Sequence, residues 1–206
     1  MLFNSYVFLF LFLPIVLSGY LLVFGKVGKA PALSWLVLAS LFFYGWWHPA
    51  FLLLLLASVG TNYVFGLWIR QQTGGRQRLL LAAAVTANLA LFGFFKYSGF
   101  LVGVFSPLLG SSLTVPDLVL PLGISFFTFQ IIAYLVDASR GKVGDCRFAE
   151  YSLFVTFFPQ LIAGPIVHHA DLIPQFQSRE KRDRAFDFSA GASLFVIGLC
   201  KKVTIA

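Results

Sequence analysis

The chain has 206 residues, 59% hydrophobic and only 11% charged, whereas a soluble globular domain carries about a quarter charged residues. Those proportions, with long uncharged runs, exclude an ordinary soluble domain and point to an integral membrane protein. The formal net charge of +7 is read as basic loops holding one side of a membrane, since no nucleic-acid-binding module is present.

The chain opens with MLFNSYVFLFLFLPIVLSGYLLVF. No basic residue precedes its apolar core and the run is too long for a signal-peptide h-region, so it reads as a retained first membrane helix, not a signal peptide. A spanning helix needs about 20 apolar residues. Residues 7–24 qualify, with Pro14 as a kink, and 31–47 form a second span. WWHP then makes a tight turn. Trp46 and Trp47 suit the headgroup interface, and Pro49 suits the first turn of the next helix. The third span is 49–69 and the fourth 79–95, with Lys96 and Tyr97 as boundary residues. The fifth is 118–136, where Pro121 and Gly123 make the entry irregular and allow the helix to start late.

Loop charges give an orientation. With the N-terminus outside, Lys26, Lys29, Arg70, Arg76, Arg78, Arg140, Lys142 and Arg147 all fall inside, while the WWHP turn and residues 106–117 fall outside without a Lys or Arg. This is the alternation that the positive-inside rule requires. The apolar run 151–167 starts inside. A full crossing would put Arg179, Lys181, Arg182 and Arg184 outside, against the rule, whereas a return keeps them inside. Pro159, Gly164 and Pro165 supply the break for a return, and broken backbone survives at membrane depth only inside protein or beside a watery cavity. The expected fold is an all-α polytopic membrane helix bundle in one domain, 1–206, with a re-entrant segment at 151–167 and an incomplete last helix at 188–206. The chain ends without a cap or stop signal, so it is expected to be part of a longer protein.

Within the spans, Asn62, Asn88 and Gln130 are read first as groups that join helices by hydrogen bonds. Gln130, in the dense stretch LPLGISFFTFQ, is also a candidate for lining an internal passage, together with Pro159, Gln160, Gly164, Pro165, His168 and His169. Asp137 lies at the edge of its span and reads as a structural ion-pair partner, and His48 as an interfacial residue. His168 and His169 have the chemistry of a general base or metal ligand. No third ligand has metal-site spacing, so a polar interface role is preferred and no metal site is expected. Cys146 and Cys200 form neither a disulfide framework nor a metal motif and read as ordinary thiols. No P-loop, HExxH or GxSxG pattern occurs. The residues alone therefore leave the reaction open.

The blocks MLFNSYVFLFLFLPIVL, NLALFGFFKYSGF, LPLGISFFTFQIIAYLVDASRG, FFPQLIAGPIVHHADLIPQF and GLCKKVTIA, in this order and over nearly the whole chain, closely resemble the membrane-bound O-acyltransferase family, in its bacterial alginate O-acetylation branch. The resemblance implies the N-terminal portion of a tunnel-forming helical bundle. It implies passage of an acetyl group from a cytoplasmic thioester donor, acetyl-CoA or an acyl carrier, to hydroxyls of an exported polysaccharide such as alginate. No bound cofactor is expected. The implied partners are membrane lipid, the polysaccharide acceptor and periplasmic acetyltransferase proteins, without nucleic acid. The implied location is the cell inner membrane. The family's essential histidine lies beyond the position matching Ala206, and His168 and His169 match a different block. No catalytic residue is therefore assigned, and the 206-residue chain alone is expected to be inactive. A transporter- or flippase-like module, or a non-catalytic membrane module, stands as the alternative.

Overall fold

The computed structural model describes residues 3–109, 119–161, 164, 172 and 184–205. Among the described residues all regular structure is helical, as the composition requires of a chain that must satisfy its backbone within lipid.

A π-helical turn, Phe8–Phe12, leads into α1, Leu13–Lys26. The widened turn sits directly ahead of Pro14, whose ring cannot tolerate a normal helical carbonyl four residues back. After Gly28 (φ 115°) the chain turns into α2, Lys29–Gly45. Extended His48 and Pro49 then open α3, Pro49–Gln71. Trp35 of α2 donates its indole N–H to the Val16 carbonyl at 3.0 Å, with its ring seated on Gly19, where a Cβ would lie 2.5 Å from the indole.

The next helix, α4, runs Gly74–Leu109. It continues through Lys96 and Tyr97, which the sequence reading had placed at a boundary, and takes in part of the expected 106–117 loop. The physical reason is that lysine need not end an apolar helix, because its long stem carries the charge sideways. Here the Lys96 Nζ lies over the Phe92 and Tyr97 rings at 5.2 and 5.6 Å. Helix α5, Ile124–Ser139, begins six residues inside the expected span, because Gly123 takes a left-handed conformation (φ 71°) and residues 119–121 are not helical. Then come α6, Phe148–Thr156, α7, Phe158–Leu161, and α8, Arg184–Ile205. Helix α8 starts four residues ahead of the expected last helix.

Phe8–Lys26, Pro49–Gln71 and Gly74–Val102 are long and apolar enough to cross a membrane, and α2 and α5 are shorter apolar helices. Large apolar side chains stand on the outside of this protein, such as Leu53, Leu79 and Phe100. That is the pattern of a surface solvated by lipid. Inside, α1 packs on α2, α2 on α6, and both α3 and α4 on α5. One core gathers Leu55, Ile131, Tyr134, Tyr151 and Phe154, and a second gathers Phe8, Phe12, Phe43, Leu153 and Phe158. Helix α6 belongs to both, and its residues 150–156 are all buried. Thus an apolar nine-residue helix lies in the middle of the bundle, covered by longer ones.

Candidate functional site

The break after α6 organises the site. Phe157 leaves helical geometry (φ −54°, ψ 110°), and α7 restarts for four residues with Pro159 in its only turn. The first amide of a new helix has no partner four residues back. Here the Phe158 N–H donates to the Ser40 hydroxyl oxygen at 3.2 Å, and the same hydroxyl donates to the Leu36 carbonyl at 2.8 Å. The Phe158 ring is caged by Phe12 (5.3 Å), Phe43 (5.6 Å) and Phe8 (6.1 Å). At the other end of α7, the Leu161 carbonyl oxygen lies where a Cβ on Gly123 would come within 2.6 Å. Only glycine fits that turn, both for its φ and for this approach. The Gly164 N–H donates to the Gln160 carbonyl at 3.1 Å, and a Cβ on Gly164 would lie 2.7 Å from the Gln160 Cα.

Among the described residues, several buried side-chain atoms have no protein hydrogen-bond partner: Gln160 Oε1 on α7 at the break, Tyr151 Oη and Ser152 Oγ on α6, Gln130 Oε1 on α5, and Tyr44 Oη on α2. Leaving such a group unsatisfied costs about 1–3 kcal/mol, which water or a polar ligand would offset. Gln130 is 2% exposed. Tyr134, one turn further along α5, packs against Tyr151 with ring centroids 4.3 Å apart and the rings tilted by 45°. It reaches across to Gly66 of α3, where a Cβ would lie 2.5 Å from its ring.

One end of the bundle is tied by polar contacts. Arg70 at the end of α3 pairs with Asp145 in the α5–α6 loop at 3.3 Å. Tyr63 donates its hydroxyl to the Cys146 carbonyl at 3.3 Å, and Gln77 Nε2 donates to the Ile69 carbonyl at 3.2 Å. The Arg147 N–H donates to Glu150 Oε2 at 3.0 Å and so starts α6. These contacts put the α3–α4 turn and the α5–α6 loop, with Arg70, Arg76, Arg78, Arg140, Lys142 and Arg147, at the same end. Asp137 contributes its backbone carbonyl to Lys142 N at 3.0 Å; among the described residues no ion pair to its carboxylate is seen. Burial, reinforced by the nearby Glu150 carboxylate, pushes the Cys146 thiol up to about 12, with Arg70 opposing. That thiol is protonated at neutral pH and is no nucleophile.

Of the residues singled out from sequence, Gln160 and Gly164 meet at the break. Pro159 is exposed in the same turn, and Gln130 is buried on α5. No hydrogen bond joins Gln130 to Gln160 or Gly164 among the described residues. Pro165, His168 and His169 lie outside the described residues. Among the described residues no group of three or more His, Cys, Asp or Glu could hold a metal ion. Sequence reasoning missed Ser40, Tyr134, Tyr151 and Ser152, and read Gly123 only as a late start of its helix. Tyr134 carried a signal, since it shares a helix face with Gln130. Ser40 carried none, because a serine in an apolar helix ordinarily bonds only its own preceding turn.

The architecture defines a polytopic helical membrane protein with a broken helix buried at its centre. The family model described as "MBOAT, membrane-bound O-acyltransferase family" matches residues 41–206, and the chain belongs to that family. It is 41% identical to the peptidoglycan O-acetyltransferase of Helicobacter pylori, with all of the chain aligned to 44% of that protein. It is 37% identical to the probable alginate O-acetylase AlgI of Pseudomonas aeruginosa, aligned to 40% of it. It is 38% identical to the AlgI of Azotobacter vinelandii, aligned to 42% of it. The chain thus spans less than half the length of these curated relatives. No solved structure matches the chain.

Proposed function

We propose that this chain is the N-terminal part of a membrane O-acetyltransferase. The complete protein takes an acetyl group from a thioester donor on the cytoplasmic side, acetyl-CoA or an acyl carrier, and passes it to hydroxyls of an exported polysaccharide. The relatives named for alginate and peptidoglycan acetylation support that acceptor class. The protein sits in the inner membrane with its N-terminus outside, as the clustering of arginines and lysines at one end supports. Periplasmic proteins complete delivery to the polymer.

The observation that carries this reading is the break at Phe157–Gln160, which follows the fully buried residues 150–156 and carries the unpartnered Gln160 Oε1. At about 1.5 Å per residue, α6 is roughly 13 Å long, less than half of the hydrocarbon thickness. A segment this short that breaks inside the bundle suits a re-entrant hairpin lining a wet passage. Acyl transfer to a hydroxyl needs a base near the acceptor and hydrogen-bond donors for the developing oxyanion. Gln160, whose Oε1 is buried without a hydrogen-bond partner among the described residues, has the chemistry to orient the carbonyl or the incoming hydroxyl. The base comes from elsewhere in the complete protein, and His168 and His169 are not assigned that role. In the complete protein, Gln160→Ala lowers acetyl transfer by about tenfold or more, the scale at which a misplaced or missing orienting group acts, while expression and thermal stability hold. Wild-type transfer by that variant would reduce the segment to scaffolding.

A further inference from the structure

We infer that Ser40 on α2 is a positioning residue, which fixes where α7 presents Gln160. The inference rests on the acyl-transfer reading above, and on geometry of its own.

Two threonine hydroxyls elsewhere in the bundle make local bonds to the preceding turn. Thr156 bonds the Ser152 carbonyl at 2.7 Å, and the more exposed Thr61 bonds Ala57 at 2.7 Å. Ser40, 0% exposed, makes the local bond to Leu36 and in addition accepts the Phe158 amide from 118 residues away. Its single proton is spent on one contact and its oxygen on the other. An alanine at 40 would leave the buried Phe158 N–H without its only side-chain acceptor among the described residues. Helix α7 has four residues, too few to hold a helical turn by its own hydrogen bonds. Its position is therefore set by its anchors: the Ser40 hydroxyl and the Phe8–Phe12–Phe43 cage at its start, and the Gly123 turn against Leu161 at its end. Gln160 follows the anchored amide by two residues. Tyr44, one turn along α2 from Ser40, also has a buried hydroxyl with no hydrogen-bond partner among the described residues. Release of one anchor shifts Gln160 without removing it. In an active site, a displacement of about 1 Å costs up to a hundredfold in rate.

The test uses the complete protein in lipid nanodiscs, with Ser40→Ala, Ser40→Cys and Ser34→Ala. Ser34 lies on the same helix, and its hydroxyl bonds only the Ala30 carbonyl. Two readouts are taken: hydrogen–deuterium exchange at the Phe158 amide, and acetyl transfer per folded molecule with kcat and KM separated. Ser40→Ala is expected to speed Phe158 exchange by about threefold to tenfold, the scale of one lost hydrogen bond, and to lower kcat by at least about tenfold. Ser40→Cys, a weaker acceptor, falls between Ala and wild type in both, and Ser34→Ala changes neither. Unchanged Phe158 exchange in Ser40→Ala or, should that variant fail to accumulate, in Ser40→Cys, overturns the anchor. Faster exchange with kcat intact overturns the positioning role. A complete wild-type protein that transfers no acetyl group instead sinks the functional reading, and the exchange data still judge the anchor by itself.

Discussion

A thiol shows how far surroundings outweigh residue type. Cys146 lies in the α5–α6 loop, where reactive cysteines are often found, yet it is buried and close to Glu150. A thiol ionising near 12 when folded and near 9 when unfolded adds nothing to stability at neutral pH. Above pH 9 only the unfolded chain gives up the proton, so stability falls as pH rises from 9 towards 12. We expect Cys146 to resist maleimide at pH 7.5 in the folded protein and to label fully after denaturation. Rapid labelling of the folded protein would mean that the loop opens or the thiol is not buried.

Helix pairing supplies the next scale. Asn62 and Asn88 join α3 to α4 by a reciprocal pair: Asn88 Nδ2 donates to Asn62 Oδ1 at 2.6 Å, and Asn62 Nδ2 to Asn88 Oδ1 at 3.1 Å. Each amide also donates to its own helix, at the Ser58 and Ala84 carbonyls, both at 2.8 Å. Inter-helix polar pairs in membranes contribute about 0.6–2 kcal/mol. Removing one partner strands the other, at about 1–3 kcal/mol. Asn62→Leu should therefore destabilise more than the double change Asn62→Leu with Asn88→Leu, as measured by thermal unfolding in detergent. Simple additivity of the two single changes would show that the pair is not coupled. The sequence displayed each asparagine as a polar exception in an apolar run, but not the pairing, since helix register is a tertiary fact. In the same way Pro121 and Gly123 announced an irregular entry to α5, because both act through local backbone geometry. Lys96 misled, because a lysine that ends a span and one that lays its charge over aromatic rings look alike in sequence. The Ser40–Phe158 bond was hidden by its 118-residue separation.

For the whole molecule, the apolar runs made the membrane bundle legible, while the interior had to be seen. Its polar atoms come from α2, α5, α6 and α7, and no local pattern gathers them. The proposed re-entrant hairpin makes a prediction at this scale. In sealed inverted vesicles, cysteines placed at Ser152 and Asp171 should be reached from the same face by an impermeant reagent, Ser152 slowly because it is buried. Labelling from opposite faces would show a full crossing and remove the hairpin. Helix α4 carries a further consequence. At about 1.5 Å per residue, its 36 residues extend roughly 54 Å, against about 30 Å of hydrocarbon. To hide that length by leaning alone, the helix would need a tilt of roughly 56°, beyond the range of about 0–40° seen for membrane helices. Even at the steepest ordinary lean, about 10 Å must stand clear of the acyl chains. With its headgroups the bilayer is about 40–45 Å thick, so α4 carries at least one of its ends out of the hydrocarbon and in among the lipid headgroups.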